Sequence, residues 1–345
     1  MLNLSQNGCS VWVTSSMELA LTPTAIALGK FDGVHRGHRR VIQPILPSLP
    51  NAGRNQDLPF PPCHIYSTVV TFDPHPQEFF TGKPRALLTP LDEKVQQLRS
   101  LGVEQLVLLP FDRELTALSP EEFVEKILVE QLQAARISVG QDFRFGSRRC
   151  GTADDLRIIA AKYGIPVHIV PLETCPEDLE QENFNPSVED TSISSSLIRE
   201  ILATGDMIRV NRLLGRSYTL IGKVIQGQQL GRKLGFPTAN LELPKDKLLP
   251  HYGVYAVRVF TVGETPELQE NLGYGVMNIG DRPTVNGTQL TAEVHILNYS
   301  GDLYGGKLAV QLEKFIRPEQ KFANLDALKQ QIHIDCDTAQ AFFNS

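Results

Sequence analysis

Two histidines three positions apart, His35 and His38, stand in the run Gly29-Lys30-Phe31-Asp32-Gly33-Val34-His35-Arg36-Gly37-His38. Imidazoles at the mouth of a glycine-bearing turn can hydrogen-bond phosphate oxygens and stabilise charge that builds as a phosphorus is attacked. A second set lies far along the chain. Gly222, Gly227, Gly231 and Gly235 lead into Phe236-Pro237-Thr238-Ala239-Asn240, where a hydroxyl and an amide oxygen offer hard ligands for Mg²⁺. A third is Glu293 with His295 in Ala292-Glu293-Val294-His295-Ile296-Leu297. Strand alternation puts that polar pair on one face, and a carboxylate there can take the proton of an alcohol. Each string also has a plainer reading. The histidines can be half of a zinc site, although no further Cys or His cluster completes it. The glycine run can be a turn, and Glu293 and His295 can simply face solvent.

The elements that must position these groups alternate in type up to about residue 205. Thr24–Leu28 reads as a buried strand, and His38-Arg39-Arg40-Val41-Ile42 as the first turn of a helix. Strand, turn and helix in that order aim free N–H groups and a positive dipole end at an anion. Ser67–Thr71, Leu106–Leu109, Ile137–Val139 and Ile165–Val170 read as further strands. Between them, Thr89-Pro90-Leu91-Asp92 opens a helix to about Ser100, Ser119-Pro120-Glu121-Glu122 opens one to about Leu132, and Thr152 with Asp155 caps a third. This rhythm implies a parallel sheet with helices on both faces and ligands at the carboxyl ends of its strands. His35, Asp73 and Asp142 all fall just after strands. Pro47–Pro62 reads as a surface excursion and Glu173–Asp190 as a mobile acidic stretch.

Near residue 206 the rhythm changes. A short helical link leads to Tyr218, after which the chain reads as all-β, with runs at Tyr218–Ile225, Val254–Phe260, Val276–Ile279, Leu290–Leu297 and Leu308–Phe315. That spacing implies a small antiparallel barrel. In the tail Leu325, Leu328, Ile332, Cys336, Ala339 and Phe343 form one helical face that must pack on it.

At 345 residues the chain has room for two cores, and 41% hydrophobic with 21% charged residues fits a soluble globular protein. A net charge of −6 gives no reason to expect nucleic acid, so phosphate ligands need local cationic sites. Five scattered cysteines without a CxxC pair fit a reducing compartment. The first basic residue is Lys30, and no apolar run approaches the length of a membrane span, so we expect a cytoplasmic protein without membrane or nucleic-acid partners. Oligomeric state leaves no signal.

The string Phe31-Asp32-Gly33-Val34-His35-Arg36-Gly37-His38 resembles the HxGH superfamily of nucleotidylyltransferases, in the form found in bifunctional riboflavin kinase/FAD synthetases. Three further strings, in order, resemble the same family: Thr71-Phe72-Asp73-Pro74-His75-Pro76, Val139-Gly140-Gln141-Asp142-Phe143-Arg144-Phe145-Gly146 and Ser194–Arg199. Gly231–Asn240 resembles the riboflavin kinase signature, as do Asn278–Thr284, Asp302–Gly305 and Phe315-Ile316-Arg317. One departure is Cys150-Gly151-Thr152, where the family pattern has an acidic residue after the glycine.

The resemblance implies an α/β plus β fold: a doubly wound, Rossmann-like nucleotidylyltransferase domain over 1–205, a linker helix over 206–215, and a riboflavin kinase barrel with a terminal helix over 216–345. It implies that the barrel converts riboflavin and ATP to FMN and the first domain converts FMN and ATP to FAD and pyrophosphate, with Mg²⁺ as cofactor. On this reading His35, His38, Arg199 and Glu293 are catalytic, the last as kinase base. Gly29, Phe31, Asp32, Gly37, Ser195 and Ser196 serve the first ATP, and Gly227, Gly231, Lys233 and Gly235 the second. Asp142, Phe143 and Arg317 hold flavin, and Thr238 and Asn240 the metal. Asp73 serves the adenosine side or the metal, and His75 and His295 have no assigned role. The rivals are an enzyme with one decayed site, a flavin-binding regulator, and an adenylyltransferase for another substrate fused to an unrelated barrel.

Overall fold

The computed structural model describes residues 11–47, 64–174, 192–227, 231, 235–263, 270–284 and 287–344. Lys233 lies outside the described residues, as do nearly all of the polar stretches 47–62 and 173–190. Contacts divide the chain into two compact units, Met1–Arg85 with Leu91–Ile193, and Ala86–Pro90 with Ser194–Ser345.

The first unit holds strands β1 (Trp12–Thr14), β2 (Thr24–Leu28), β3 (Tyr66–Asp73), β4 (Gln105–Pro110), β5 (Ala134–Gly140), β6 (Arg144–Phe145), β7 (Gly151–Thr152) and β8 (Val167–Val170). Its helices are α1 (Arg36–Ile42), α2 (Pro76–Thr81), α3 (Leu91–Ser100), α4 (Arg113–Ala117), α5 (Pro120–Glu122) and α6 (Ala153–Ala161). Six strands form a parallel sheet in the order β1-β4-β3-β2-β5-β8. β2 is buried throughout because both faces are covered. Ile26 and Leu28 pack with Val70, Ile137 and Leu156 on one side, and Ala25 and Ala27 with Val69, Leu98 and Leu106 on the other. The chain runs from β2 to β3 on one flank and later places β5 on the opposite flank, which makes the carboxyl end of β2 a topological switch point.

Several boundaries follow from local chemistry. Ser119 and Glu122 form a capping box at α5, and Thr152 and Asp155 form another at α6. Beyond α5 the helix widens into a π-helix over Phe123–Gln131. The helix expected from His38 begins earlier, at Arg36, because His35 itself is the cap. β1 and the two-residue pair β6–β7 carry too few residues for a period to show in sequence.

The second unit begins with α7 (Ser195–Thr204) and α8 (Met207–Leu214). Strands β9 (Tyr218–Ile225), β10 (Ala239–Glu242), β11 (Gly253–Thr261), β12 (Asn271–Thr284), β13 (Gly287–Ile296) and β14 (Lys307–Pro318) follow, then α9 (Leu325–Asn344). The sequence reading ends the first domain at residue 205, whereas by contacts α7 groups with the barrel. The strands close in the order β10-β13-β12-β11-β14-β9, with β9 and β10 antiparallel across the seam. Tyr218, Leu220, Gly222 and Val224 alternate inward along β9. β11 is buried on both faces, because its outward Val254 and Ala256 lie with Cys336 and Ala339 of α9 in one apolar cluster. Leu325, assigned to the same helical face, is 55% exposed, so the packing surface starts after it. The Pro-Thr-Ala-Asn run reads as a turn, yet its last two residues open β10, which closes the barrel.

No described helix is long and apolar enough to cross a membrane.

Candidate functional site

In the first unit His35 lies at the switch point, immediately before α1. Its Nδ1 accepts the backbone N–H of His38 at 3.3 Å, so the ring proton of the neutral imidazole sits on Nε2. The two imidazoles stack with centroids 3.7 Å apart. Gly37 permits this, since a Cβ there would lie 3.3 Å from the His35 ring. Phe31 and Val34 are fully buried with φ of 48° and 42°, values that cost a β-branched Val34 backbone strain. The turn between strand and helix is therefore held by packing. Burial, His35 and Lys94 together hold His38 well below the ordinary histidine value, so it is neutral at pH 7, and its buried Nδ1 has no hydrogen-bond partner among the described residues.

His75 repeats the device. Its Nδ1 accepts the N–H of Gln77 at 3.1 Å at the start of α2. Burial, then the charges of Arg85 and Lys30, push it down to about 4. Lys30 is itself lowered by burial and by Arg149 and Arg85, against the pull of Asp142. Cations thus gather around Lys30, the setting an anionic ligand needs. Asp32 is buried, Asp73 is the exposed last residue of β3, and Gly29 sits at the carboxyl end of β2. Asp142 is exposed two residues past β5, while Phe143 packs against the core and stacks on Phe145. Cys150 is exposed, and the Thr152 two residues on is occupied as the α6 cap.

Ser195, Ser196 and Arg199 belong to the other compact unit, in the first turns of α7, which Ser194 caps through Leu197 N–H at 3.2 Å. Arg199 donates to the Ala86 carbonyl at 2.7 Å.

In the second unit, register explains the polar row on the barrel. Glu293 of β13 pairs with Asn240 of β10 on one side and Asn278 of β12 on the other. Directly opposed residues of antiparallel strands share a face, so Glu293 is flanked by two amides. The Thr238 hydroxyl lies 3.5 Å from Glu293 Oε2. Gly227 lies so close that a Cβ there would meet Asn240 Nδ2 at 2.3 Å, and a Cβ on Gly231 would meet the Phe236 carbonyl oxygen equally closely. Gly235 turns with φ of 91°. The His295 Nδ1–H donates to the Pro237 carbonyl at 2.8 Å, which ties β13 to the start of the Pro-Thr-Ala-Asn run. A cavity of about 540 Å³ is lined by Thr238, Ala239, Val294, Tyr299, Asp302 and Tyr304, a volume suited to a nucleotide-sized ligand. Arg317 is engaged by α9: Nε and Nη2 meet the two oxygens of buried Asp335 at 2.9 and 2.8 Å.

No group of three or more His, Cys, Asp or Glu suited to a metal occurs among the described residues. A hydroxyl, an amide oxygen and one carboxylate are hard donors that fit Mg²⁺, an ion that keeps waters and phosphate oxygens as its other ligands.

Sequence reasoning missed Arg85, Arg149 and Lys94. For Lys94 a signal exists. Leu91, Val95 and Leu98 mark the buried stripe of α3, and Lys94 falls within it at the helical spacing.

Two family models match the chain, FAD synthetase over residues 18–180 and riboflavin kinase over 214–343. A bifunctional riboflavin kinase/FMN adenylyltransferase from Escherichia coli K12 is 40% identical over 319 residues, covering 92% of each chain. One from Haemophilus influenzae is 36% identical over 323 residues, covering 93% of this chain and 94% of that one. A crystal structure described as a macrolide-efflux protein from Streptococcus pneumoniae is similar with a TM-score of 0.75 at 27% identity, over 96% of this chain and 98% of that chain. The identity, sustained across both matched regions, places this chain in the bifunctional riboflavin kinase/FMN adenylyltransferase family.

Proposed function

We propose that the two activities are divided between the two units, FMN adenylylation at the histidine pair and riboflavin phosphorylation at Glu293. In the kinase step Glu293 takes the proton of the riboflavin primary hydroxyl. The alkoxide oxygen attacks the γ-phosphorus of ATP, the bond to the β-phosphate oxygen breaks, and ADP leaves. Thr238 and Asn240 hold Mg²⁺, which when bound neutralises charge on the ATP phosphates. Gly227, Gly231 and Gly235, with Lys233, let the chain approach those phosphates closely. His295 acts as a positioning residue through the Pro237 carbonyl.

In the second step an FMN phosphate oxygen attacks the α-phosphorus of ATP, and the bond to the β-phosphate breaks to release pyrophosphate. No covalent intermediate is needed; positioning and charge stabilisation carry the reaction. His35 presents Nε2–H, neutral His38 stands beside it, and the N-terminus of α1 adds its dipole. Gly29, Phe31, Asp32 and Gly37 shape the turn. Asp142 and Phe143 serve the flavin of this step, and Arg317 the flavin of the kinase step. We place these reactions in the cytoplasm, where the free cysteines stay reduced.

The observation that carries this reading is that each set, the stacked imidazoles and the Thr238–Asn240–Glu293 group, lies wholly within one compact unit. Incubation with riboflavin, ATP and Mg²⁺ followed by chromatography of the flavins tests it. FMN appears first and FAD after it, and chelation of Mg²⁺ stops both. Riboflavin that persists over a range of salt, pH and reductant overturns it.

A further inference from the structure

We propose that Lys94 is a further substrate-facing cation of the adenylyltransferase site, one whose ammonium meets the ATP phosphates alongside His35 and His38. The proposal rests on the reading of that site given above. Lys94 lies in the first turn of α3, on the stripe that Leu91, Val95 and Leu98 turn to the core, and is 8% exposed. An ammonium has three donors. Among the described residues Lys94 makes one hydrogen bond, a long one of 3.4 Å to the Lys30 carbonyl, and no ion pair. That carbonyl already accepts from Thr71 Oγ1 at 2.9 Å.

The groups around Lys94 are those of the site. Asp32 and Asp73 attract its charge from beyond contact distance, and His38 and His75 both feel its charge. A buried ammonium left with unused donors is costly unless an anion completes it.

A second buried lysine in the same chain shows what burial without a ligand looks like. Lys247 is 4% exposed, donates to the Leu88 carbonyl at 2.9 Å and lies 4.4 Å over the ring of Tyr218. Its environment completes it, whereas that of Lys94 does not. The one carbonyl it does reach, that of Lys30, belongs to the turn leading from β2 to the two imidazoles, so the spare donors of Lys94 lie at that turn. Adenylyl transfer shifts charge onto a leaving pyrophosphate, and a fixed cation in a buried site stabilises that shift.

The test is Lys94→Met and Lys94→Ala in the full chain, with His38→Ala and Lys247→Met beside them. Lys94→Met is expected to lower kcat for FAD synthesis roughly a hundredfold, as loss of a preorganised charge does. The KM for FMN, the riboflavin kinase rate and the melting midpoint stay as in the parent. Propylammonium is expected to restore FAD synthesis to Lys94→Ala, and propanol is not. Lys247→Met is expected to do the opposite, lowering the midpoint while sparing FAD synthesis. Parental FAD synthesis in Lys94→Met, with His38→Ala inactive, overturns the proposal. So does a loss that accompanies a fallen midpoint and resists the amine. Parental FAD synthesis in His38→Ala overturns instead the reading of the site.

Discussion

At the carboxyl end of the sheet in the first unit, His35 and His38 are stacked, His35 caps α1, His38 is neutral, and the cations around them come from the turn after β2, from α3 and from the segments flanking the sheet. On the barrel, Glu293 stands half-buried on a strand between two amides, with hydroxyl and amide oxygens in place of cations. The two arrangements suit different problems. A phosphate nucleophile arrives already ionised, so the first site needs donors and charge rather than a base. A hydroxyl nucleophile must lose a proton, so the second needs a carboxylate. The difference also explains the backbones used: a strand-to-helix turn presents N–H groups and a dipole, whereas an open strand face presents side chains in fixed register.

The comparison breaks most sharply at Glu293. Glu293→Gln keeps the shape of the side chain and removes its basicity. A positioned base contributes on the order of 10² to 10⁴ in rate, and we expect that loss in riboflavin phosphorylation. Added FMN is still converted to FAD. Parallel rates from riboflavin and from FMN, separated chromatographically, check this.

Next in size is His38→Ala. Loss of one preorganised donor costs on the order of 10² to 10³ in turnover, expected here only in FMN adenylylation. Riboflavin is phosphorylated normally and FMN accumulates.

The smallest effect is on stability. His75 ordinarily titrates near 6.5 and is pushed down to about 4 by burial and by Arg85 and Lys30. The unfolded chain therefore takes up a proton that the folded chain refuses. The stability present above pH 6.5 is lost progressively as the pH falls toward about 4. Melting curves across that window are expected to slope downward with acidification, and His75→Gln to flatten the slope. An unchanged slope in the variant shows that other groups set it.

Much of this was legible in the sequence because burial leaves a period. Thr24–Leu28 and Tyr218–Ile225 read as strands to the residue, the first as an apolar run after Thr24 and the second as inward alternation. The Ser119 and Thr152 boxes fixed two helix starts. What escaped notice did so for physical reasons. A histidine cap is chemically sound but is not among the usual capping residues, so α1 begins two residues earlier than the pattern suggests. Ala239–Glu242 is too short to alternate visibly, and its preceding proline marks a turn, yet closing the barrel makes it a strand. The burial of Lys94 is signalled by its place on the Leu91, Val95 and Leu98 stripe, but its chemical role is not, because spacing does not show which groups surround its ammonium. Arg317, read as a flavin ligand, is clamped by Asp335, a partner eighteen positions on that only the packing of α9 brings near.

The separation of chemistries is tested most directly by mixing two full-length variants, each lacking one activity. His38→Ala and Glu293→Gln are each incubated with riboflavin, ATP and Mg²⁺, alone and together. Alone, the first stops at FMN and the second leaves riboflavin unchanged. Together they are expected to make FAD, because FMN formed on one chain is adenylylated on the other. A mixture that yields no FAD, or either variant making FAD from riboflavin by itself, contradicts the assignment of one reaction to each unit.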